Sequence, residues 1–362
     1  MYKSITPQDM VSAVEQYKYM PQMTENIAGI TTNEVYSNVF VKDRKVMPTA
    51  KYFDRSSTKT ITVVTYSTDE GQAIPIGTKT IKAGEFEPQA IKMIKSYTPT
   101  ILNELAEVEH KTKAQIVKED IGDFIKTRDE NVKNQCHEVF ASGTITYPMR
   151  NIDGKIVTAD QIDYTDYFGS IVTLTTSSTE CNVVQWNSAS TTQDEIWRSI
   201  ISIIKYLRSQ TNNKYFMNMK DIVIFAEDTA YNALASVAPQ DFNSKLLHED
   251  GMDYLIGGKN GIRIISTNMP YKGWVFSANK WSLSSTNALT TGQIVILDKK
   301  MGNFKLRDMK YLSIKTAGEA VAVPYEITTK ILDYNSGMAV HFATKPLVIA
   351  NTEAFAKITV TA

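Results

Sequence analysis

The stretch LAEVEHKTKAQIVKEDIGDFIKTRDENVKNQCHEVFAS, residues 105–142, is the longest helical pattern in the chain and decides how the rest is read. Its apolar positions, Leu105, Val108, Ile116, Ile121, Phe124, Ile125, Val132, Cys136, Val139 and Phe140, recur at the three- and four-residue spacing of a helix with one buried face. Gly143 stands where a stop is expected, because glycine takes the left-handed conformation that ends helices. Some 35 residues at about 1.5 Å each make a rod of roughly 50 Å, a spine rather than a packed core helix. Pro99 can open a short separate turn ahead of it, and Gly122 is a place for it to bend. Glu119, Asp120 and Asp123 cluster on the rod. A carboxylate pair is what acid and base catalysis would need, but a charged stripe on a long helix reads as a solvated or interface face.

Working back from the spine, residues 58–95 read as a long hairpin. Thr60 to Tyr66 is β-branched and alternating, and Thr78 to Lys82 repeats the pattern. Thr68, Asp69, Glu70, Gly71 and Gln72, then Pro75, supply the turn between them. Such Thr-rich strands bury little on their own, and a two-stranded ribbon is marginal in water, so a surface outside the ribbon should cover it. Further upstream, Met10, Val11, Val14 and Tyr17 predict a short amphipathic helix within residues 1–20, and Thr31 to Lys51, closed by Pro48, predicts an extended arm.

Forward of the spine, residues 144–185 return to strands, with Asp153-Gly154 as a hairpin turn. Helical spacing resumes at Thr192 and runs through Asp194, Trp197, Ile200, Ile201, Ile203, Ile204 and Leu207 to about Ser209. Asp221 to Ala226 is a nearly all-apolar strand, and a helix follows over 228–237. Strands are expected at 262–266, 274–277, 294–298 and 304–307, and residues 325–360 are again extended. The class is α+β, with a helix-rich unit inserted into a β-rich one and the latter therefore discontinuous.

The search for chemistry is negative. Lys plus Arg equals Asp plus Glu at 39 each, so the chain carries no general attraction to nucleic acid or an anionic membrane. The N-terminus has no apolar signal core, no stretch approaches a membrane span, and two cysteines fit a reducing cytosol. His110, His137, His248 and His341 are too scattered for ligand spacing, and Cys136 and His137, adjacent on a helix, point about 100° apart. Both cysteines read as buried thiols. Gly257, Gly258, Lys259, Asn260 and Gly261 lack the spacing and the hydroxyl residue of a phosphate loop and read as a hairpin turn. Trp186, Trp197, Trp274 and Trp281 read as core anchors. No catalytic, cofactor or metal site is expected.

An arm, an exposed ribbon, a spine helix, a β-rich body and an inserted α/β unit, in that order, resemble the Hong Kong 97 fold. Three short stretches are similar to the lambda-type major capsid proteins of tailed bacteriophages: Thr31-Thr32-Asn33-Glu34-Val35-Tyr36, Phe86-Glu87-Pro88-Gln89 leading into Ile91 and Ile94, and Lys345 to Asn351 followed by Phe355 and Val360. The Ser- and Thr-rich insert at 175–192 departs from that pattern. The resemblance implies an N-arm at 1–55, an E-loop hairpin at 56–97, a P-domain at 98–185 and 323–362 with its spine at 105–142, and an inserted A-domain at 186–322. It implies a non-enzymatic shell subunit that joins copies of itself as hexamers and pentamers. Its partners would be a portal and a separate scaffold protein, with a decoration protein allowed, DNA held only by containment, and no membrane or cofactor. Such a protein resides in the virion shell and assembles in the host cytoplasm. The residues implied for assembly are Thr68, Asp69, Glu70, Gly71, Gln72 and Pro75 on the E-loop, Glu119, Asp120 and Asp123 on the spine face, and Gly257, Gly258, Lys259 and Asn260 on an A-domain loop. Two other readings stay open: an encapsulin-like nanocompartment, and a β-rich hydrolase or carbohydrate-binding module.

Overall fold

The computed structural model describes residues 39–42, 52–58, 80–109, 112–151, 155–237, 245–249, 252–257, 261–277, 280–309, 326–331 and 337–361. The helix expected within 1–20, most of the arm, and ribbon residues 59–79 lie outside the described residues.

The described chain opens with β1 (Val41–Lys42), β2 (Tyr52–Thr58) and β3 (Thr80–Phe86). β2 and β3 pair antiparallel from Tyr52 opposite Phe86 to Thr58 opposite Thr80, so both ends of segment 59–79 leave one ladder, as a hairpin requires. After β4 (Ile91–Tyr97), Pro99 starts α1 (Pro99–Glu109). Proline is tolerated there because the missing N–H has no helical partner in the first turn, and the Ile101 N–H donates to the Thr98 hydroxyl at 3.3 Å.

The spine is α2 (Lys113–Ser142), a separate helix, which corrects the expectation of a single rod over 105–142. Thr112 is extended; its hydroxyl accepts from the Gln115 N–H, and the Gln115 side chain accepts from the Thr112 N–H at 2.8 Å. This capping box satisfies the donors exposed by a new helix start, so breaking the rod at that point costs little. At the far end Gly143 has φ of 79° and its N–H donates to the Val139 carbonyl at 2.8 Å. The stop is where the sequence placed it.

Next come β5 (Thr144–Arg150) and β6 (Ile156–Asp163), which pair antiparallel, with the turn residues Asp153 and Gly154 outside the described residues, then α3 (Thr165–Phe168) and β7 (Val172–Leu174). The Ser- and Thr-rich insert forms turns and ends in a second capping box, Thr192 with Glu195, at the start of α4 (Gln193–Gln210). The alternating unit continues with β8 (Ile222–Ala226), buried at every position, and α5 (Asp228–Ser236). β9 (Lys245–Glu249), β10 (Met252–Gly257) and β11 (Ile262–Ser266) follow, then β12 (Pro270–Ser277), β13 (Lys280–Asn287), β14 (Gln293–Asp298) and β15 (Lys305–Asp308). The chain closes through β16 (Glu326–Ile331), β17 (Met338–Thr344), β18 (Pro346–Ile349) and β19 (Phe355–Thr359).

Seven strands form the largest sheet, in the order β7-β19-β14-β8-β11-β10-β9, with β8 parallel to β11 and β19 parallel to β7. Its central strands share a core with the apolar stripe of α4, Ile196, Trp197, Ile200, Ile203, Ile204 and Leu207. A three-stranded sheet, β16-β17-β4, joins the strand that precedes α1 to two strands near the C-terminus. β18 pairs with β15, and β15 with β1. The result is α+β, as expected from the sequence.

Candidate functional site

Three surfaces carry the residues singled out by sequence. The first is the ribbon. Its base is tied down by aromatic packing: the Phe86 ring lies 5.0 Å from Tyr164, 5.6 Å from Tyr167 and 6.2 Å from Phe168, and stacks on Tyr52 at 6.4 Å. The Arg307 guanidinium sits 4.5 Å over the Tyr52 ring. Gly84 is required here, because a Cβ would come within 2.8 Å of the Tyr167 ring. Beyond β3, Lys345 pairs with Glu87 at 3.3 Å and Gln89 donates to Asp160 at 2.7 Å. The base is thus tied to α3, β6 and the loop before β18. Thr68, Asp69, Glu70, Gly71, Gln72 and Pro75 all lie outside the described residues.

The second surface is α2. Its first half packs Ile116, Val117, Ile121 and Ile125 against Tyr97, Ile327, Met338, Val340 and Phe342 of the three-stranded sheet. The acidic cluster is divided by this packing. Asp120 turns inward, accepting from the Tyr97 hydroxyl at 2.6 Å and pairing with Lys95. Burial, then the hydrogen bond to Asp120 and its charge, push the Tyr97 phenol well above its ordinary range. Glu119 and Asp123 face outward, Asp123 beside Lys126 at 3.4 Å. The three do not form a catalytic dyad.

Midway along α2, Arg128 is buried and pairs with Asp129 at 2.7 Å and with Asp308, while its Nε donates to the Thr344 hydroxyl at 3.4 Å. Burial works against the charged guanidinium, but the two carboxylates outweigh it and leave its pKa above the ordinary value. Past this point Val132, Cys136, Val139 and Phe140 enter the main core. Cys136 and Cys181 are both buried free thiols, as read from the sequence. Cys136 and His137 do not serve one another: burial raises the Cys136 thiol, and His137 Nδ1 donates instead to the Pro270 carbonyl at 2.7 Å. Burial holds that imidazole down at about 4, the Pro270 bond opposing and Lys133 assisting. Burial also raises Glu138 to about 7, although the Thr146 N–H donates to it at 3.1 Å and opposes the shift.

The third surface is the glycine-rich loop. Gly257 pairs with Ile262 across antiparallel β10 and β11, which makes the connection a hairpin, and Gly261 has φ of 63°. Gly258, Lys259 and Asn260 lie outside the described residues.

Sequence reasoning missed β13 and misread two tryptophans. Trp186 and Trp197 are core residues, but Trp274 and Trp281 stand part-exposed on the β12–β13 ribbon, because both alternate onto a face left uncovered among the described residues. The alternation of Trp274 with Phe276 and of Trp281 with Leu283 was the available signal. Among the described residues, no group of three or more His, Cys, Asp and Glu side chains could hold a metal, and no helix is long and apolar enough to cross a membrane.

No protein-family model matches the sequence, and no curated protein matches it. Solved structures do. The crystal structure of a prophage protein from E. coli CFT073, described as its capsid protein, is similar with a TM-score of 0.52 and 11% identity over 99% of this chain and 100% of that one. The capsid of the native GTA particle gives 0.49 and 10% over 97% and 98%, and the cyanophage A-1(L) capsid 0.46 and 12% over 89% and 90%. Over nearly its whole length, then, this chain has a phage capsid fold.

Proposed function

We propose that this chain is the major capsid protein of a tailed bacteriophage, joining copies of itself as hexamers and pentamers into an icosahedral head. The observation that carries the proposal is the likeness in fold across 99% of this chain and 100% of the prophage protein. Fold alone does not dictate function. Here it is joined by a second property: a ribbon with a fixed base and a marginal two-stranded stem, which needs a surface from outside.

In this reading the parts are an N-arm at 1–55, an E-loop at 56–97, a P-domain at 98–185 and 323–362, and an A-domain at 186–322. The strands of the last segment serve three sheets: β17 pairs with β4 and with β16, β18 with β15, and β19 with β14. The E-loop tip, Thr68 to Gln72 and Pro75, lies over the spine of a neighbouring copy, where Glu119 and Asp123 are outward-facing, while Asp120 fixes the spine to its own sheet. Each contact is modest, and closed symmetry multiplies them, since several neighbours hold every subunit. A portal occupies one vertex, a separate scaffold protein guides curvature in the host cytoplasm, a decoration protein is allowed, and DNA is contained rather than bound. The protein works in the virion without enzymatic chemistry.

Replacing residues 60–78 with a short Gly-Ser turn leaves the β2–β3 ladder intact and tests the proposal. We expect a soluble, folded chain that forms no shells when expressed with the genes flanking its own, as seen by negative-stain microscopy. Normal shells from that variant would overturn the ribbon's role, and the absence of megadalton species from the unaltered chain would overturn the capsid reading itself.

A further inference from the structure

The β12–β13 ribbon has two unlike faces. In its antiparallel register Trp274 stands opposite Leu283 and Phe276 opposite Trp281. Period-two alternation therefore gathers these four side chains on one side. None is buried; Phe276 and Leu283 are 56% and 49% exposed, and the Phe276 and Trp281 rings lie 5.2 Å apart near the tip. The other side pairs Val275 with Ser282 and Ser277 with Lys280. The root is held to the spine, where the Lys272 N–H donates to Asn134 at 3.3 Å and the Pro270 carbonyl accepts from His137. A contiguous apolar face on a two-stranded ribbon marks an interaction site.

α1 offers the complement. Ile101 and Val108, seven residues apart and so on one side of the helix, are 46% and 78% exposed. α1 carries Glu104, Glu107 and Glu109 with no Lys or Arg, whereas the ribbon carries Lys272 and Lys280 with no Asp or Glu. Ribbon and helix are both exposed in the same chain, so neither covers the other within one copy.

Resting on the capsid reading above, we infer that the ribbon of one copy docks its Trp274, Phe276, Trp281 and Leu283 face on α1 of a second copy, with Lys272, two residues before Trp274 and so on the same face, against Glu104 and Glu107. The two patches differ, so the contact is head-to-tail, the type that closes into rings when its rotation allows. It adds to the E-loop contact an interface made by a ribbon whose second strand the sequence did not mark.

The test uses two full-length chains, one with Val108→Cys and one with Phe276→Cys, expressed together with the flanking genes. Cys136 and Cys181 are buried and give little background. After mild oxidation of the particles, a reducible dimer of twice the chain mass should form only when both chains are present. Shells without that dimer overturn the contact and leave the capsid reading standing; no shells even from the unaltered chain overturn both. A second arm reverses charge: Lys272→Glu should lower shell yield about fivefold, since like charges then face each other, whereas Lys280→Glu on the opposite face should change it far less. Adding Glu104→Lys and Glu107→Lys to Lys272→Glu should restore most of the yield. An unchanged yield from Lys272→Glu, or a loss that the added pair does not rescue, counts against the docking on α1.

Discussion

The two halves of α2 are one continuous helix with different company. The first half closes a cluster of nine buried side chains with the three-stranded sheet, whereas the second half runs into the main core, where the Phe140 ring meets Phe40, Phe304 and Phe355 within 6.0 Å. A small core buries less surface per residue and opens more readily than a large one. The helix thus has one end set in the main core and the other packed on a lighter sheet.

The largest test of that contrast removes a ring from the heavy end. Phe140→Ala should cost about 4 kcal/mol and lower the whole urea unfolding curve. Ile121→Ala at the light end should cost about 2–3 kcal/mol, and hydrogen exchange should speed up mainly in β4, β16 and β17. Equal acceleration in β8 and β14 would show that the two halves unfold as one unit.

Arg128 sits between them, and it joins α2 to Asp308 of β15 and Thr344 at the end of β17. Arg128→Met should destabilise by about 3 kcal/mol, because Asp308 is left buried without its cation. Adding Asp308→Asn should recover a substantial part. If the double variant is no better than the single one, the pair is not what links the halves.

Glu138 and His137 make the heavy end sensitive to pH, in opposite senses. His137 is held at about 4 against an ordinary 6.5, so the stability it contributes is complete above 6.5 and is lost as pH falls toward 4. Glu138 is raised from 4.5 to about 7, so its contribution is complete below 4.5 and is lost as pH rises through 7. Lys133 on the same helix, Tyr147 and Asp160 on the β5–β6 hairpin, and Tyr271 on β12 are the neighbouring charged or titratable groups. Glu138→Gln should match the unaltered chain near pH 4.5 and exceed it by about 2 kcal/mol at pH 8, measured by urea unfolding across that range. A constant difference at all pH values would mean that the carboxyl is not titrating in the fold.

How much of this was written in the sequence varies by residue. The ends of elements were legible where one local interaction sets them, as at Gly143 and at the Gly257 hairpin. Which face of an element finds a partner was less so, because that depends on strands far away. Trp197 and Trp274 look alike as residues, yet one meets the core of α4 and the other a bare ribbon face. Asp120 could not be told from Glu119 and Asp123 without knowing that β4 brings Lys95 and Tyr97 beneath it. The spine and the helix–strand–helix unit of α4, β8 and α5 were readable from periodicity, whereas the pairing of β19 with β14, some sixty residues away, was not.

The smallest predicted effect concerns where the light end begins. Thr112-Lys113-Ala114-Gln115 is a capping box inside what periodicity reads as one rod, and it is the interaction that lets α1 and α2 be separate helices. Thr112→Ala removes the hydroxyl that accepts from the Gln115 N–H and leaves that donor to solvent, at a cost of about 1 kcal/mol. Alanine also favours the helical conformation that threonine resists. The variant should therefore lose a little stability at the start of α2 while gaining helix signal in circular dichroism, as α1 and α2 tend to fuse. Fusion would swing the Ile101 and Val108 stripe of α1 about the α2 axis, so shell assembly should suffer more than stability does. A variant with unchanged helix content and unchanged assembly would mean that the break is set by the packing of α1 rather than by the cap.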